Sequence, residues 1–315
     1  MSLHPVSILA VAVILAALAV AWSRRFIATG ALAVANLVVF ALSAFGPTVR
    51  VGDHIVPVIH RELALQSVHL QHGEPLGFLQ LLTSMFVHAD FGHIFSNLII
   101  LLAFALPFEE RIGTRRFLAI YLGAGLMGSL AQTAYTGWSS VALMGASGAV
   151  FGIIGAFAAA FPTLVVPLPM PLFVVMIFVR ARVWVAALVF TAMQVLYFAL
   201  LSPFDNTAYA AHFGGLAAGI VLGTTVARHA APRRSAVRVD LVALQPFAKD
   251  NGTSTALQHM TEHRDEPQVF QAWLDRFFRT ARCPTCDHTV MPHRGEVVCT
   301  QGHRFDVRSK AAAKA

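Results

Sequence analysis

The sequence has few charged residues, and this shortage restricts the class of protein. Only 12% of its 315 residues are charged, whereas 57% are hydrophobic, and the mean hydropathy is +0.66. Soluble domains carry about twice that charged fraction, so the composition predicts a membrane protein. The net charge of +7 would ordinarily suggest nucleic-acid binding. The basic residues form short clusters instead of a continuous stripe, however, and we expect no nucleic-acid partner.

Cysteine is also scarce, and its three copies all lie near the C-terminus. Disulfides therefore cannot staple the apolar part of the chain. The spacing is C-x-x-C, a gap of residues 287–298, and then C-x-x-x-H. Three thiolates and one imidazole form a closed tetrahedral set for structural zinc, and the predicted ligands are Cys283, Cys286, Cys299 and His303. His288 or His293 could replace His303, and a pair of unrelated cysteines is the alternative.

Seven apolar runs are long enough, or nearly so, to cross a bilayer as helices. They are residues 5–22, 26–45, 86–107, 117–136, 145–161, 183–201 and 208–227. A further apolar run, 164–179, contains several prolines and predicts a re-entrant or interfacial connection. The polar composition from residue 229 onward predicts a linker over 229–264. An amphipathic helix capped by Asp265 then opens the tail at 265–315.

Most arginines between these runs lie in alternate loops, and the positive-inside rule makes those loops cytoplasmic. The residues concerned are Arg24, Arg25, Arg111, Arg115, Arg116, Arg180, Arg182, Arg228, Arg233 and Arg234. The intervening loops hold only Arg50 and Arg61, in the long segment 46–85. Seven spans then place the N-terminus outside and the tail in the cytoplasm. The first run could instead be a cleaved signal peptide, since Ala17-Leu18-Ala19 resembles a cleavage site. The lack of a basic segment before it favours a retained span over 1–25.

Polar residues within spans are costly and mark candidate functional sites. His88, His93 and Asn97 lie near the outer end of the third run, while Ser147 and His212 open the fifth and the seventh. Glycines follow both Ser147 and His212 at helical spacing, which lets two helices approach closely in lipid. We therefore expect Ser147 to hydrogen-bond His212, as activation of a nucleophile requires. The alternative is that the glycines serve packing alone and that Ser147 bonds its own backbone.

Three segments resemble the signatures of the rhomboid protease family, in the family's order. They are H-A-D-F-G-H-I-F-S-N at 88–97, G-A-S-G-A-V-F-G at 145–152 and A-H-F-G-G-L-A-A-G at 211–219. The resemblance implies an all-α polytopic protein with a six-helix core at 26–228, here preceded by an extra span. It also implies a serine endopeptidase of the membrane that cleaves transmembrane-anchored substrates near the outer face and needs no cofactor for the chemistry.

The same resemblance assigns a role to each matched residue. Ser147 becomes the nucleophile and His212 the general base, while His93 and Asn97 join the Ser147 backbone N–H in holding the oxyanion. Supporting roles fall to His88, Gly145, Gly148 and Phe151. Family members often have Tyr where Phe151 stands, and a Trp-Arg pair where this chain has Leu79 and Gln80. The first departure removes a hydroxyl, and the second puts substrate gating in doubt.

Several polar residues near these motifs have simpler interpretations. We expect Asp90 and Asp205 to cap helices rather than to join a catalytic triad. We expect the histidines of the long external segment, His54, His60, His69 and His72, to be solvated rather than to bind metal. Two rival functions remain: a catalytically inactive rhomboid-like protein that binds membrane clients, and a transporter. A transporter would line a path with polar groups, whereas here they lie on one side, apart from Gln194 and scattered Thr and Ser.

Overall fold

The computed structural model describes residues 3–24, 27–172, 175–201, 208–227, 239–264, 267–293 and 295–307. Arg25, Asp205, Asp265 and the arginines at 228, 233 and 234, which were used in the sequence predictions, lie outside these residues. The chain divides into two compact units, Met1–Arg233 and Arg234–Ala315. Each unit has its own apolar core.

All seven predicted apolar runs form helices in the first unit. In chain order its helices are α1 Pro5–Arg24, α2 Ala28–Ala44, α3 Val58–Leu63, α4 Ser67–Gln71, α5 Pro75–Thr83, α6 Phe91–Ile112, α7 Thr114–Thr136, α8 Ser147–Ala160, α9 Val183–Leu201 and α10 Tyr209–Leu222. A 3₁₀ turn, Ser84–Phe86, follows α5, and a π-helical turn, Gly223–Ala227, continues α10. Five of these helices are long and apolar enough to cross a membrane: α1, α6, α7, α9, and α10 together with its π turn. The fold supports a polytopic membrane protein.

Helix α8 is short and lies deep in the protein. Its 14 residues span about 21 Å, less than the roughly 30 Å hydrocarbon thickness of a bilayer. Ten of them, from Gly148 to Phe157, are buried. Since α8 is surrounded by longer helices, the residue that begins it, Ser147, lies inside the bundle. In a soluble protein, packing alone would bury a helix in this way. In this protein the burial of α8 also places the Ser147 hydroxyl inside the bundle.

A buried carboxylate ties the start of α2 to the end of α6. One oxygen of Glu109 accepts from the Ala28 N–H at 2.6 Å and from the Thr114 hydroxyl at 2.8 Å. The other oxygen accepts from the N–H and the hydroxyl of Thr29, both at 2.8 Å. The first N–H groups of a helix have no intrahelical acceptor, and a negative charge there is favourable. Glu109 therefore serves as the N-terminal cap of α2 from a distant part of the chain.

Helices α8 and α10 approach so closely that their backbones touch, as the glycine spacing predicts. A Cβ added at Gly215 would overlap the backbone of Gly148, and one added at Gly219 would overlap the backbone of Gly152. One turn further, Gly223 meets the backbone of Ala156. This glycine seam, the contact of Gly215, Gly219 and Gly223 with α8, leaves no room for any side chain larger than hydrogen.

The expectation of an all-α fold is wrong in three places. Two antiparallel hairpins interrupt the first unit: β1 Thr48–Val51 with β2 His54–Pro57, and β3 Val165–Leu172 with β4 Val175–Arg182. The second hairpin replaces the connection predicted at 164–179. Its prolines exclude a helix, as expected, but their spacing at alternate positions is compatible with an edge strand. The third place is the second unit, which contains a small sheet.

The second unit combines helices with a three-stranded antiparallel sheet. Its elements are α11 Leu241–Leu244, a 3₁₀ turn Gln245–Phe247, α12 Asn251–Glu262, α13 Pro267–Thr280, β5 Val290–His293, β6 Glu296–Cys299 and β7 Arg304–Asp306. Helix α13 is the predicted amphipathic helix. Within the segment predicted as a linker, residues 239–262 instead belong to this core, because Leu244, Phe247, Ala256 and Met260 are buried in it. Asp250 caps α12, and the N–H of Thr253 holds the pKa of that carboxyl below its ordinary value.

Candidate active site

Ser147 is the first residue of α8, and the turn before it is tightly specified. Gly145 has φ of +122°, a conformation that L side chains rarely adopt, and its N–H donates to the Ser84 carbonyl at 2.9 Å. A Cβ at Gly145 would lie 2.7 Å from the His93 ring nitrogen Nε2. Both the backbone conformation and the neighbouring ring therefore require glycine at this position, which fixes the direction in which α8 begins.

The structure brings Ser147 and His212 into direct contact. The hydroxyl Oγ of Ser147 lies 2.7 Å from Nε2 of His212, a hydrogen-bond distance. His212 is 8% exposed, and its ring stacks on Phe151 with centroids 4.8 Å apart and planes 15° apart. The contact across α8 and α10 depends on the glycine seam, which holds the two helices at backbone distance. A polar pair within hydrogen-bond reach is thus enclosed by apolar helices.

The other ring nitrogen of His212, Nδ1, also has a partner, the side chain of Gln194, which was not among the predicted site residues. Nδ1 lies 2.6 Å from Oε1 of Gln194, on α9. Gln194 interrupts a helix of otherwise almost wholly apolar residues. A polar side chain within a span is costly, so the sequence alone marks Gln194 as a candidate functional residue. The sequence does not indicate which neighbouring helix Gln194 faces.

The two residues assigned to the oxyanion by resemblance lie beside Ser147 on α6. Asp90 caps this helix, as predicted, by accepting from the His93 N–H at 2.9 Å. The His93 ring packs against Gly145, and the side chain of Asn97 is buried. One N–H of the Asn97 amide donates to the His93 carbonyl at 2.9 Å. An amide carries a second N–H, which is the one that could reach a ligand.

His88 supports the turn before α8. It is 1% exposed, and its Nε2 lies 3.4 Å from the Ala146 N–H, close enough to accept a hydrogen bond. Its carbonyl in turn lies 3.1 Å from Nε2 of His60. His60 is thus not the solvated loop residue that was expected, and burial lowers its pKa although the bond to His88 opposes the shift. His69 also has a partner, Glu74, at 2.7 Å.

A cavity of about 1100 Å³ opens onto the Ser147 hydroxyl. Its walls come mainly from α6 to α10, with further residues from the segments before α6 and α8 and from β3. The polar groups on them include His93, Asn97, Gln132, Gln194 and His212. Gln132 accepts from the Ala211 N–H at 3.2 Å, just before His212.

Gln80 lies where rhomboid proteases often have part of a Trp-Arg pair. It is fully buried, accepts from the Gln66 N–H and donates to the Glu62 carbonyl. It holds the external segment together.

The predicted metal ligands of the tail also come together. The donor atoms of Cys283, Cys286, Cys299 and His303 all lie within 4.8 Å of one another. The sulfurs of Cys286 and Cys299 are 3.3 Å apart, and the sulfur of Cys283 is 3.8 Å from Nδ1 of His303. Zinc binds thiolates at about 2.3 Å and imidazole at about 2.0–2.1 Å in a tetrahedron, and four donors gathered this closely could hold one ion. His288 does not join this set; it bonds the Cys286 carbonyl.

Comparison with known proteins finds a match over the region that holds Ser147 and His212. Residues 75–229 match the family model described as Rhomboid domain. Rhomboid protein 1, mitochondrial, of Saccharomyces cerevisiae is 30% identical over 158 residues, which are 48% of this chain and 42% of that protein. Rhomboid-like protease 3 of Toxoplasma gondii is 39% identical over 80 residues, 25% of this chain and 30% of that protein.

A plant relative is similar over a comparable stretch. RHOMBOID-like protein 5 of Arabidopsis thaliana is 28% identical over 168 residues, 53% of this chain and 49% of that protein. The chain thus spans less than half the length of each of these relatives. The matched segment contains α5 to α10, which carry the cavity and the hydrogen-bonded serine and histidine. The domain match and the rhomboid-named relatives together support a rhomboid family protein.

Proposed function

We propose that this protein is an intramembrane serine endopeptidase that cleaves transmembrane-anchored proteins with Ser147 as nucleophile and His212 as general base. The observation that carries the proposal is the 2.7 Å contact between the Ser147 hydroxyl and Nε2 of His212 inside an apolar helical bundle. Protease-named relatives support the activity at the level of the family. A serine hydroxyl is a weak nucleophile until an adjacent base accepts its proton, and this contact supplies the base.

In the acylation step, Oγ of Ser147 attacks the carbonyl carbon of the scissile peptide while its proton moves to Nε2 of His212. The carbonyl oxygen becomes an oxyanion. The Ser147 backbone N–H belongs to the first turn of α8, where helix N–H groups lack intrahelical acceptors and the helix dipole favours negative charge. Together with the second N–H of Asn97 and the His93 ring, it forms the proposed oxyanion site.

Collapse of the tetrahedral intermediate breaks the peptide C–N bond, and the imidazolium of His212 gives its proton to the leaving amine. The product that remains is an ester between Oγ of Ser147 and the carbonyl of the N-terminal fragment, while the C-terminal fragment leaves as the amine. His212 then removes a proton from a water molecule in the cavity, and the hydroxide attacks the ester. The ester bond breaks, His212 returns the proton to Oγ of Ser147, and the N-terminal fragment leaves as a carboxylate. The cavity holds room for that water beside an extended peptide. Each proton taken by His212 is returned within the same half-reaction.

We place this protein in the cell membrane, with the active site opening to the external side and the tail in the cytoplasm. Support for this orientation comes from the arginines, most of which lie in alternate loops; Arg50 and Arg61 are the exceptions. Within the first unit, Arg111, Arg115 and Arg116 lie near the junction of α6 and α7. This junction is at the opposite end of α6 from His93 and Asn97, the two residues beside Ser147. A cysteine accessibility experiment with impermeant reagents would test the orientation.

The rival function is binding of membrane clients without cleavage. An inactive protein has no need of a serine hydroxyl held by an imidazole, and a buried polar pair in a bilayer is costly to keep. The geometry therefore favours the enzyme. Purified protein in detergent or liposomes, mixed with a transmembrane model substrate, tests the choice directly.

In that assay, Ser147→Ala and His212→Ala should each abolish cleavage, because the pair acts as one unit. A fluorophosphonate probe should label the wild-type protein and fail to label Ser147→Ala. The matched control is Ser96→Ala, whose hydroxyl donates to a carbonyl of its own helix and whose loss should leave labelling unchanged. Cleavage by Ser147→Ala at the wild-type rate would overturn the proposal.

We propose, second, that the tail binds one structural zinc ion through Cys283, Cys286, Cys299 and His303. A closed set of four protein ligands leaves no open position for catalysis, so the ion would hold the small sheet to its neighbouring turns. Elemental analysis of the full chain should give about one zinc per chain. The double variant Cys283→Ser with Cys286→Ser should lose it, whereas His288→Ala should keep it. Equal zinc content in all three proteins would overturn the assignment.

A further inference from the structure

The ring of His212 is held at three points, and Gln194 supplies one of them. Phe151 lies under the face of the ring, Ser147 meets Nε2 at 2.7 Å, and Gln194 meets Nδ1 at 2.6 Å. Among the described residues, these two side chains are the hydrogen-bond partners of the imidazole. Nothing in the proposed chemistry above gives Gln194 a role, although its contact is the shorter of the two.

The chemistry of a general base determines which atoms must meet at this contact. To accept the Ser147 proton, Nε2 must carry a lone pair, and a neutral imidazole then carries its hydrogen on Nδ1. An Nδ1–H donor needs an acceptor, and the amide oxygen of Gln194 is that acceptor. The opposite tautomer would put hydrogen on Nε2, would leave Nδ1 to accept from the amide nitrogen, and would make His212 useless as a base.

Among the residues that the structure describes, charged groups around His212 do not provide a substitute for this acceptor. The cavity walls beside the ring present His93 from α6, Gln132 from α7 and Ser147 from α8. Within the described part of the chain, the carboxylate on these walls is that of Asp90, which is engaged as the cap of α6. A serine protease triad orients its histidine with a buried carboxylate. Here a neutral amide stands at the corresponding nitrogen, which avoids burying a charge in the bilayer.

The helix that carries this amide is the least buried of the candidate spans. Only 11% of the stretch Val183–Leu200 of α9 is buried inside the protein. The corresponding apolar stretches of α6 and α7 are 39% and 44% buried. Leu188, Val195 and Leu196 of α9 are more than half exposed. Few packing contacts therefore hold α9, and a small displacement of this helix would move the Gln194 oxygen away from Nδ1. The state of the imidazole and the docking of α9 are physically linked.

We propose that Gln194 is a positioning residue that fixes His212 in the tautomer with hydrogen on Nδ1, and that it thereby makes proton transfer from Ser147 depend on the docking of α9. This inference rests on the proposed protease function. In the acylation step the Ser147 proton passes to Nε2, the imidazolium forms, and its Nδ1–H stays bonded to the amide oxygen. Gln194 contacts Nδ1 of His212 and acts on the reacting atoms through that ring.

The test compares two substitutions of Gln194 in the full chain. Gln194→Met keeps the length and removes the acceptor, and it should lower kcat by about 10- to 100-fold while KM changes by less than about twofold, since orientation of the base affects the chemical step. Gln194→Glu keeps an acceptor oxygen at the same position. It should retain kcat to within about threefold, because an oxygen can still accept from Nδ1–H.

Two further readouts separate positioning from a structural effect. The rate at which a fluorophosphonate labels Ser147 needs no transmembrane substrate, and it should fall in Gln194→Met in parallel with kcat. In histidine-selective ¹⁵N NMR, the resonances of His212, identified by their loss in His212→Ala, should show hydrogen on Nδ1 in the wild type and a mixture of tautomers in Gln194→Met. Thr191→Val, which removes a polar group one turn earlier on α9, is the matched control and should change neither readout.

The outcomes are distinguishable from failure of the protease function. Loss of cleavage in Ser147→Ala and His212→Ala, combined with wild-type kcat and labelling in Gln194→Met, would overturn the role of Gln194 and leave the protease intact. Cleavage that persists in Ser147→Ala would overturn both. If Gln194→Met unfolds, Gln194→Glu decides alone: hydrogen on Nε2 of His212 in its NMR spectrum would contradict the proposal.

Discussion

Replacing Glu109 with alanine should destabilise the membrane unit far more than any other single carboxylate change in α6. The carboxylate accepts four hydrogen bonds from Ala28, Thr29 and Thr114. Two of the donors are hydroxyls, which can rotate toward other acceptors. The other two are the N–H groups of Ala28 and Thr29, which are fixed by the helix and are buried. Truncation leaves these two donors without an acceptor.

The magnitude follows from that count. An unsatisfied buried donor costs about 1–3 kcal/mol, so two of them cost about 2–6 kcal/mol. For a unit of this size, 1 kcal/mol corresponds to about 2–4 °C in Tm. A cost near the middle of the range, about 4 kcal/mol, should therefore lower Tm by about 8–16 °C. Glu109→Gln should cost about half as much, about 1–3 kcal/mol, because the amide keeps one oxygen and its NH₂ group faces only one of the two fixed N–H groups.

Thermal unfolding of the purified protein in detergent measures the effect. The matched control is Glu110→Ala, since Glu110 is the next residue on α6 and is exposed; the ion pairing of an exposed carboxylate contributes about 1 kcal/mol or less. A Tm for Glu109→Ala within about 2 °C of the wild type, or an equal loss in Glu110→Ala, would refute the argument that the cap of α2 stabilises this unit.

Three further substitutions test the site and the seam. Asn97→Ala should lower kcat by about 10²-fold or less, because one oxyanion donor is lost while the Ser147 N–H and His93 remain; an unchanged kcat in the cleavage assay would remove Asn97 from that role. Phe151→Ala should lower activity by about 2- to 10-fold through loss of the stacked ring, and Phe151→Tyr should keep activity, so equal rates for both would contradict a role for the ring. Gly215→Ala should destabilise the protein by about 1–3 kcal/mol, because its Cβ overlaps the Gly148 backbone. Gly30→Ala in α2 meets open space and should leave Tm unchanged or raise it slightly, because alanine favours a helix more than glycine does.

The meeting of Ser147 with His212 was predictable because two independent patterns agree on it. Each residue opens an apolar run, and glycines at helical spacing on α10 remove the side chains that would separate the helices. Gln194 shows where such reasoning ends. Helix α9 is apolar on every face, so hydropathy does not fix its rotation, and the facing of one amide depends on tertiary packing. The same limit applies to the depth of α8.

The errors in the fold have a different origin. A polar composition over 239–262 resembles a linker, yet a few apolar residues at helical spacing, among them Leu244, Phe247 and Met260, are sufficient to join a core. At 164–179, the prolines correctly exclude a helix. They do not by themselves distinguish a strand from an irregular connection, because that depends on whether β4 is available as a pairing partner.

The prolines of β3 have a consequence for the exposed edge of that hairpin. Pro167, Pro169 and Pro171 occupy alternate positions. Successive residues of a strand direct their backbone groups to opposite edges, so these three prolines face the same edge. Because β3 pairs with β4 along its whole length, the residues between the prolines supply the N–H groups of the ladder. The outer edge therefore presents carbonyls and no amide hydrogens at those three positions. A second strand cannot add to it in regular register, so the hairpin is protected from pairing with another copy of itself in the crowded plane of a membrane.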